Sequence, residues 1–171
     1  MTRTLIATLG LVLLVCPATP VRAADPQLPN VQLNSDNAAG RPVEELTRKS
    51  VARDYAKAWR SLAEAMEQNR ASVIDNDFVG VAAEKFAAAV SDQARAGLHT
   101  RLVDHGHKLD VLFYSPEGLS IELRDTAQLE RQVLDGDKVI HSEQVTAHYI
   151  SLMTPTEVRW KVRLLQEVPG Q

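Results

Sequence analysis

The spacing of apolar residues changes once along this chain of 171 residues, near residue 107. Upstream, Leu46, Val51, Tyr55, Ala58, Trp59, Leu62 and Met66 recur at steps of three to five residues. That is the stripe of an amphipathic helix. It opens near Pro42, whose ring suits a first helical turn, and closes near Gln68-Asn69. Ser72 with Asp75 predicts a short capped turn. Phe78, Ala82, Phe86, Val90, Ala94, Leu98 and Leu102 then recur every four residues, which predicts a second helix, interrupted or closely approached at Gly80, ending before Gly106. From His107 the period is two: Leu109, Val111 and Phe113 begin one strand, and Leu119 to Val133 a second. A third runs from about Lys138 to Met153, and Val158, Trp160, Val162 and Leu164 mark a fourth. Turns fall at Pro116-Glu117-Gly118, Asp135-Gly136-Asp137 and Thr154-Pro155-Thr156-Glu157. Helices grouped ahead of an antiparallel meander predict an α+β domain, with the helices covering one sheet face and the other face meeting solvent or a partner.

The ends of the chain set its organisation. Arg3, the apolar run from Leu5 to Cys16 and the small-residue site Val21-Arg22-Ala23 read as a signal peptide over residues 1–23, too short for a membrane span. The competing lipoprotein reading, with Cys16 acylated, wants a small residue where Val15 stands. Residues 24–41, rich in Asn and Pro and without a period, read as a disordered tether, and residues 42–169 as one domain. Cys16 is the only cysteine, so the exported chain has neither disulfide nor thiolate. The formal net charge is −3, and more negative once Arg3 and Arg22 are removed. With no Lys/Arg tract, nucleic-acid binding is excluded as an expectation. No later segment is apolar enough for a stable membrane span.

The helix stripe through Tyr55, Trp59 and Leu62, the second helix through Phe86, and the meander ending in "RWKVRLLQEV" together resemble the NTF2-like superfamily, also called SnoaL-like or ketosteroid-isomerase-like. The resemblance covers about residues 43–168 and rests on element order. It implies N-terminal helices packed on a curved, four-stranded antiparallel sheet forming a cone with a pocket. The superfamily includes isomerases, dehydratases, binding proteins and inert assembly modules, and no motif carries a catalytic set across.

Asp125 is the candidate site residue. It stands in the inward row of Leu119, Ile121, Leu123, Ala127 and Leu129, with polar residues between. The same parity holds on both sides of it, so no bulge turns it outward. A buried carboxylate is paired, hydrogen-bonded or protonated. Asp125 is therefore either a structural acceptor or, in a cavity, a general base. Tyr55, Trp59, Tyr149 and Trp160 are amphipathic aromatics that fill a core or line a pocket. His107 shares parity with Leu109 and reaches a pocket rim, although "DHGH" (Asp104 to His107) otherwise reads as a loop between helix and strand. These two histidines lack a third ligand, so no metal is expected. His141 and His148 fall on opposite faces of one strand, and a bulge near Tyr149-Ile150 would reconcile its mixed parity. Arg159, Lys161 and Arg163 are expected to pair with Glu122 and Glu130 across strands or subunits.

No nucleophile elbow, phosphate loop, dinucleotide fingerprint or zinc-protease helix occurs, and no cofactor is expected. The leading reading is an exported, non-catalytic module. It binds a small apolar ligand through Tyr55, Trp59, His107, Asp125, Tyr149 and Trp160, or a protein partner, and forms a homodimer through its sheet face. The alternatives are an isomerase- or dehydratase-type enzyme, with Asp125 as base and Tyr149 as hydrogen-bond donor, and a cell-envelope assembly scaffold.

Overall fold

The structure, a computed structural model, describes residues 28–170. The signal peptide and Cys16 lie outside the described residues. Six strands and two helices follow the order β1 (Val31–Asn34), β2 (Ala39–Gly40), α1 (Glu45–Gln68), α2 (Gly80–Arg95), β3 (Leu98–Tyr114), β4 (Ile121–Asp135), β5 (Lys138–Pro155) and β6 (Trp160–Val168). A 3-10 turn over Ala71–Asn76 joins the helices. The architecture is α+β, helices on a curved sheet, compatible with the NTF2-like fold. The sheet is mixed and six-stranded, in the order β1-β3-β4-β5-β6 with β2 also on β3, and not the expected four antiparallel strands.

The two extra strands come from the stretch read as a tether. Val31 and Leu33 alternate with Gln32 and Asn34 and pair in parallel with His107 to Asp110. Their half-buried side chains pack on the core. The His107 amide donates to the Asn30 carbonyl at 2.9 Å, so the segment covers the β3 edge. At Gly40 a Cβ would stand 2.1 Å from the Tyr114 carbonyl oxygen, so only glycine admits the approach of β2.

Helix α1 buries the expected stripe of Val51, Tyr55, Ala58, Trp59 and Leu62, and ends at Asn69 in the left-handed conformation. Helix α2 is shorter than expected. It stops at Arg95, Gly97 takes φ +74° just beyond it, and Leu98 and Leu102 belong to β3. Gly80 opens this helix and does not interrupt it. Phe86 packs edge-on against Phe78, with ring centroids 5.3 Å apart.

Strands of 15 to 18 residues must bend to stay on so small a core, and bulges do this. Register shifts leave His105 and Leu112 as extra residues on β3 and Ile140 on β5, but none on β4. Another shift, on β6, falls at Arg163. No shift occurs at Tyr149-Ile150: Val145, Ala147, Tyr149, Ser151 and Met153 face inward without a break, and Ile150 and Leu152 belong to the outer face. Within the chain, the expected pairing of Glu122 and Glu130 with Arg159, Lys161 and Arg163 is not formed. β5 separates β4 from β6, Arg159 instead pairs with Asp77 at 3.0 Å, and Lys161 donates to the Asp75 carbonyl.

Candidate functional site

Because β4 carries no bulge, Ile121, Leu123, Asp125, Ala127 and Leu129 all point inward, and Asp125 is fully buried. Its Oδ2 accepts from the Tyr55 hydroxyl at 2.9 Å and meets His107 Nδ1 at 2.7 Å. The other ring nitrogen, Nε2, lies 2.7 Å from Asp104 Oδ2. Residues three apart on a regular strand face opposite sides, so Asp104 and His107 meet only because His105 is the extra residue of a bulge. Gly106, at φ +130°, closes that bulge, and its amide donates to Asp104 Oδ1 at 2.8 Å. "DHGH" is therefore a bulged strand and not the loop expected between helix and strand.

The electrostatics follow from this geometry. Burial disfavours an imidazolium, but hydrogen bonds and charge attraction from Asp104 and Asp125 outweigh it and raise the His107 pKa to about 9. His107 is thus a buried cation between two carboxylates at neutral pH. Burial, reinforced by the Asp125 charge, pushes the Tyr55 phenol well above its ordinary value, so it remains a donor. Asp125 Oδ1, the Trp59 indole N–H and the Ser151 hydroxyl are buried without a protein partner.

Two open spaces adjoin this cluster. A larger, more polar one of about 850 Å³, lined by Trp59, Arg60, Glu64, Asp104 and His105, reaches the Asp104 end of the charge chain. The other is smaller and mostly apolar, a cavity of about 390 Å³ that separates the helices from the far half of the sheet. Leu62, Met66, Phe86, Leu102, Leu129 and Leu165 supply most of its wall, and Lys85, Arg131, His141, Glu143 and Glu167 its charged and polar lining. Trp59 is the shared partition. It lines the cavity, and its ring packs on His107 with centroids 4.7 Å apart and on Tyr149 at 5.3 Å. Of the six sequence-predicted residues, Trp59 and Tyr149 line this cavity; Tyr55, His107 and Asp125 lie behind the partition. Trp160 is in the core, edge-on to Tyr114 at 6.3 Å, and its amide donates to Asp54 Oδ2 at 3.0 Å.

Sequence reasoning passed over Arg131. It shares the inward parity of Asp125, and a cation on a dry face is as much a signal as an anion. Arg131 Nη2 donates to the Tyr149 hydroxyl at 2.9 Å and pairs with Glu167 at 3.1 Å, while Nη1 lies 3.8 Å from Glu143. His141 stands on this inner side at the cavity, and His148 is bonded to Thr126 on the outer face, on opposite sides of β5 as alternation requires. Asp54, held by both ends of the Arg53 guanidinium, and Asp77, bonded by Ser61 at 2.6 Å, are two further buried carboxylates that fasten β6 to the helical layer.

Among the described residues no group of three His, Asp or Glu side chains is arranged to hold a metal ion, and no helix is long and apolar enough to cross a membrane.

No family model and no curated protein matches the chain. Solved structures do. The intermembrane space region of the chloroplast protein ARC6 superposes with a TM-score of 0.64 at 11% identity, over 71% of this chain and 96% of that one. Kfla4162 from Kribbella flavida gives 0.50 at 10% identity, over 70% and 90%. A proposed scytalone dehydratase from Novosphingobium aromaticivorans gives 0.47 at 11% identity, over 68% and 83%, too loose a likeness to build on. At such identities the likeness shows a shared fold alone and does not extend to an activity.

Proposed function

We propose that this protein is an exported, non-catalytic NTF2-like module that binds a small apolar ligand in the cavity between α1, α2 and the sheet. One observation carries the reading: the cavity is walled largely by apolar side chains, and the buried carboxylate that would serve as a base lies behind Trp59, already bonded to His107 and Tyr55. At about 390 Å³ the chamber falls within the size range of small-molecule sites. Titration with the neutral fluorophore N-phenyl-1-naphthylamine tests it. Saturable one-to-one binding is expected, weakened at least tenfold by Ala89→Trp, which fills the cavity from α2. An absent signal, or one indifferent to that substitution, would overturn the proposal.

The enzyme reading keeps one supporting observation, the unpartnered Oδ1 of Asp125. A base needs an oxygen free to take a proton. Turnover of an isomerisable substrate that vanishes in a folded Asp125→Asn variant would put that reading first. Export and self-association complete the proposal. Mass spectrometry should find a mature chain beginning at Ala24 or Asp25, and light scattering a dimer through the outer sheet face, where Ile150, Leu152 and Leu164 form a half-buried apolar patch.

A further inference from the structure

Tyr149 occupies an unusual position in the cavity wall. It stands on β5 opposite Asp125, reaches toward Arg131, and accepts a hydrogen bond from the guanidinium at 2.9 Å. No described residue accepts the proton of its own hydroxyl. Burial, the largest influence on this phenol, raises its pKa, so the proton stays in place at neutral pH. A hydroxyl that accepts from a cation is polarised and becomes a stronger donor. The result is a fixed O–H donor on a largely apolar wall.

The charges around it decide what that donor can receive. Arg131 already faces Glu167 at 3.1 Å and Glu143 at 3.8 Å, and Lys85 supplies a second cation, so the charged lining residues balance. A ligand carboxylate would give up its hydration to meet a guanidinium that two carboxylates already neutralise. An ammonium would find both glutamates already engaged by Arg131, with the Lys85 charge also in the lining. Neither recovers its desolvation cost. Resting on the ligand-binding reading above, we infer that the cavity selects an uncharged apolar molecule bearing one hydrogen-bond acceptor, which takes the Tyr149 proton.

Three naphthalenes of similar size separate the cases: 2-acetylnaphthalene, with a carbonyl acceptor; 2-ethylnaphthalene, with none; and 2-naphthoate, with a charge. Each is competed against N-phenyl-1-naphthylamine on the wild-type protein. The ketone should bind about three- to tenfold tighter than the hydrocarbon, the worth of one net hydrogen bond. The carboxylate should bind weakest. Tyr149→Phe should bring the ratio of ketone to hydrocarbon affinity to about one. A ketone no better than the hydrocarbon, a carboxylate that binds tightest, or an advantage that survives Tyr149→Phe would overturn the inference while leaving the ligand-binding reading intact. Failure of all three compounds to displace the bound fluorophore would overturn the inference alone, whereas a fluorophore that does not bind, or binds indifferently to Ala89→Trp, would remove both. The wild-type ranking is decisive even if the variant does not fold.

Discussion

Asp125 bonds the Tyr55 hydroxyl and one ring nitrogen of the His107 imidazolium, whose other nitrogen meets Asp104. Its removal leaves a buried cation with half of its countercharge. Asp125→Ala is therefore expected to lower stability by about 3–5 kcal/mol, the usual loss on breaking a buried pair. Denaturant unfolding measures this, and a loss under 1 kcal/mol would show that the carboxylate is not structural. The histidine makes a pH signature. Its folded pKa, about 9, lies above the ordinary value of 6.5. A raised pKa contributes stability that is complete below pH 6.5 and is lost as pH rises through about 9. The loss is on the order of 3 kcal/mol across that window. His107→Gln should flatten the unfolding free energy over the same range, and an unchanged slope would refute the buried imidazolium. The inward placement of Asp125 was legible because alternation holds on both sides of it, from Ile121 to Leu129. Its partner Asp104 was hidden: three residues from His107, it lies on the opposite face unless a bulge intervenes, and the bulge at His105 leaves no periodic trace.

Among the elements, α1 could be read almost to its last residue, because its apolar stripe includes Tyr55, Trp59 and Leu62 and nothing in the segment suits a strand. The end of α2 could not be read from spacing. A step of four satisfies a helix and is also twice a strand's period, so Leu98 and Leu102 extend the helical pattern while lying in β3. Gly97 was the available stop signal. The N-terminal strands failed for a different reason: β1 has only two inward residues, Val31 and Leu33, too few for a period to emerge among Asn and Pro. Bulges carry the bend of the long strands, and the one at His105-Gly106 also assembles the charge chain. Gly106 sits at φ +130°, where a Cβ would find ordinary space, 3.5 Å from the Asn30 carbonyl oxygen. The cost of Gly106→Ala is then one of backbone strain, about 1–3 kcal/mol. It should appear in denaturant melts together with a lowered His107 pKa by NMR titration, as Asp104 is drawn away. A melt that matches the parent would show that the bulge is not under conformational constraint.

At the scale of the whole molecule, the two halves of the domain interior have divided tasks. Behind Trp59, Asp125, His107 and Tyr55 are buried and bonded to one another, and only the Asp104 end of the chain reaches a second, more polar pocket. In front of it the space is open, mostly apolar, and ends in a donor held by Arg131. Sequence patterning foresaw a pocket with Asp125 in it, because burial and pocket lining look alike on a strand. Only the position of Trp59 between helix and sheet separates them. Amide chemical-shift mapping in 15N-labelled protein during titration with 2-ethylnaphthalene tests that division most directly. The account predicts the largest shifts at Leu102, Leu129, Tyr149 and Leu165, with the His107 ring signals and the Asp125 amide little changed. Shifts centred on His107 and Asp125, or confined to the outer face of the sheet, would contradict it.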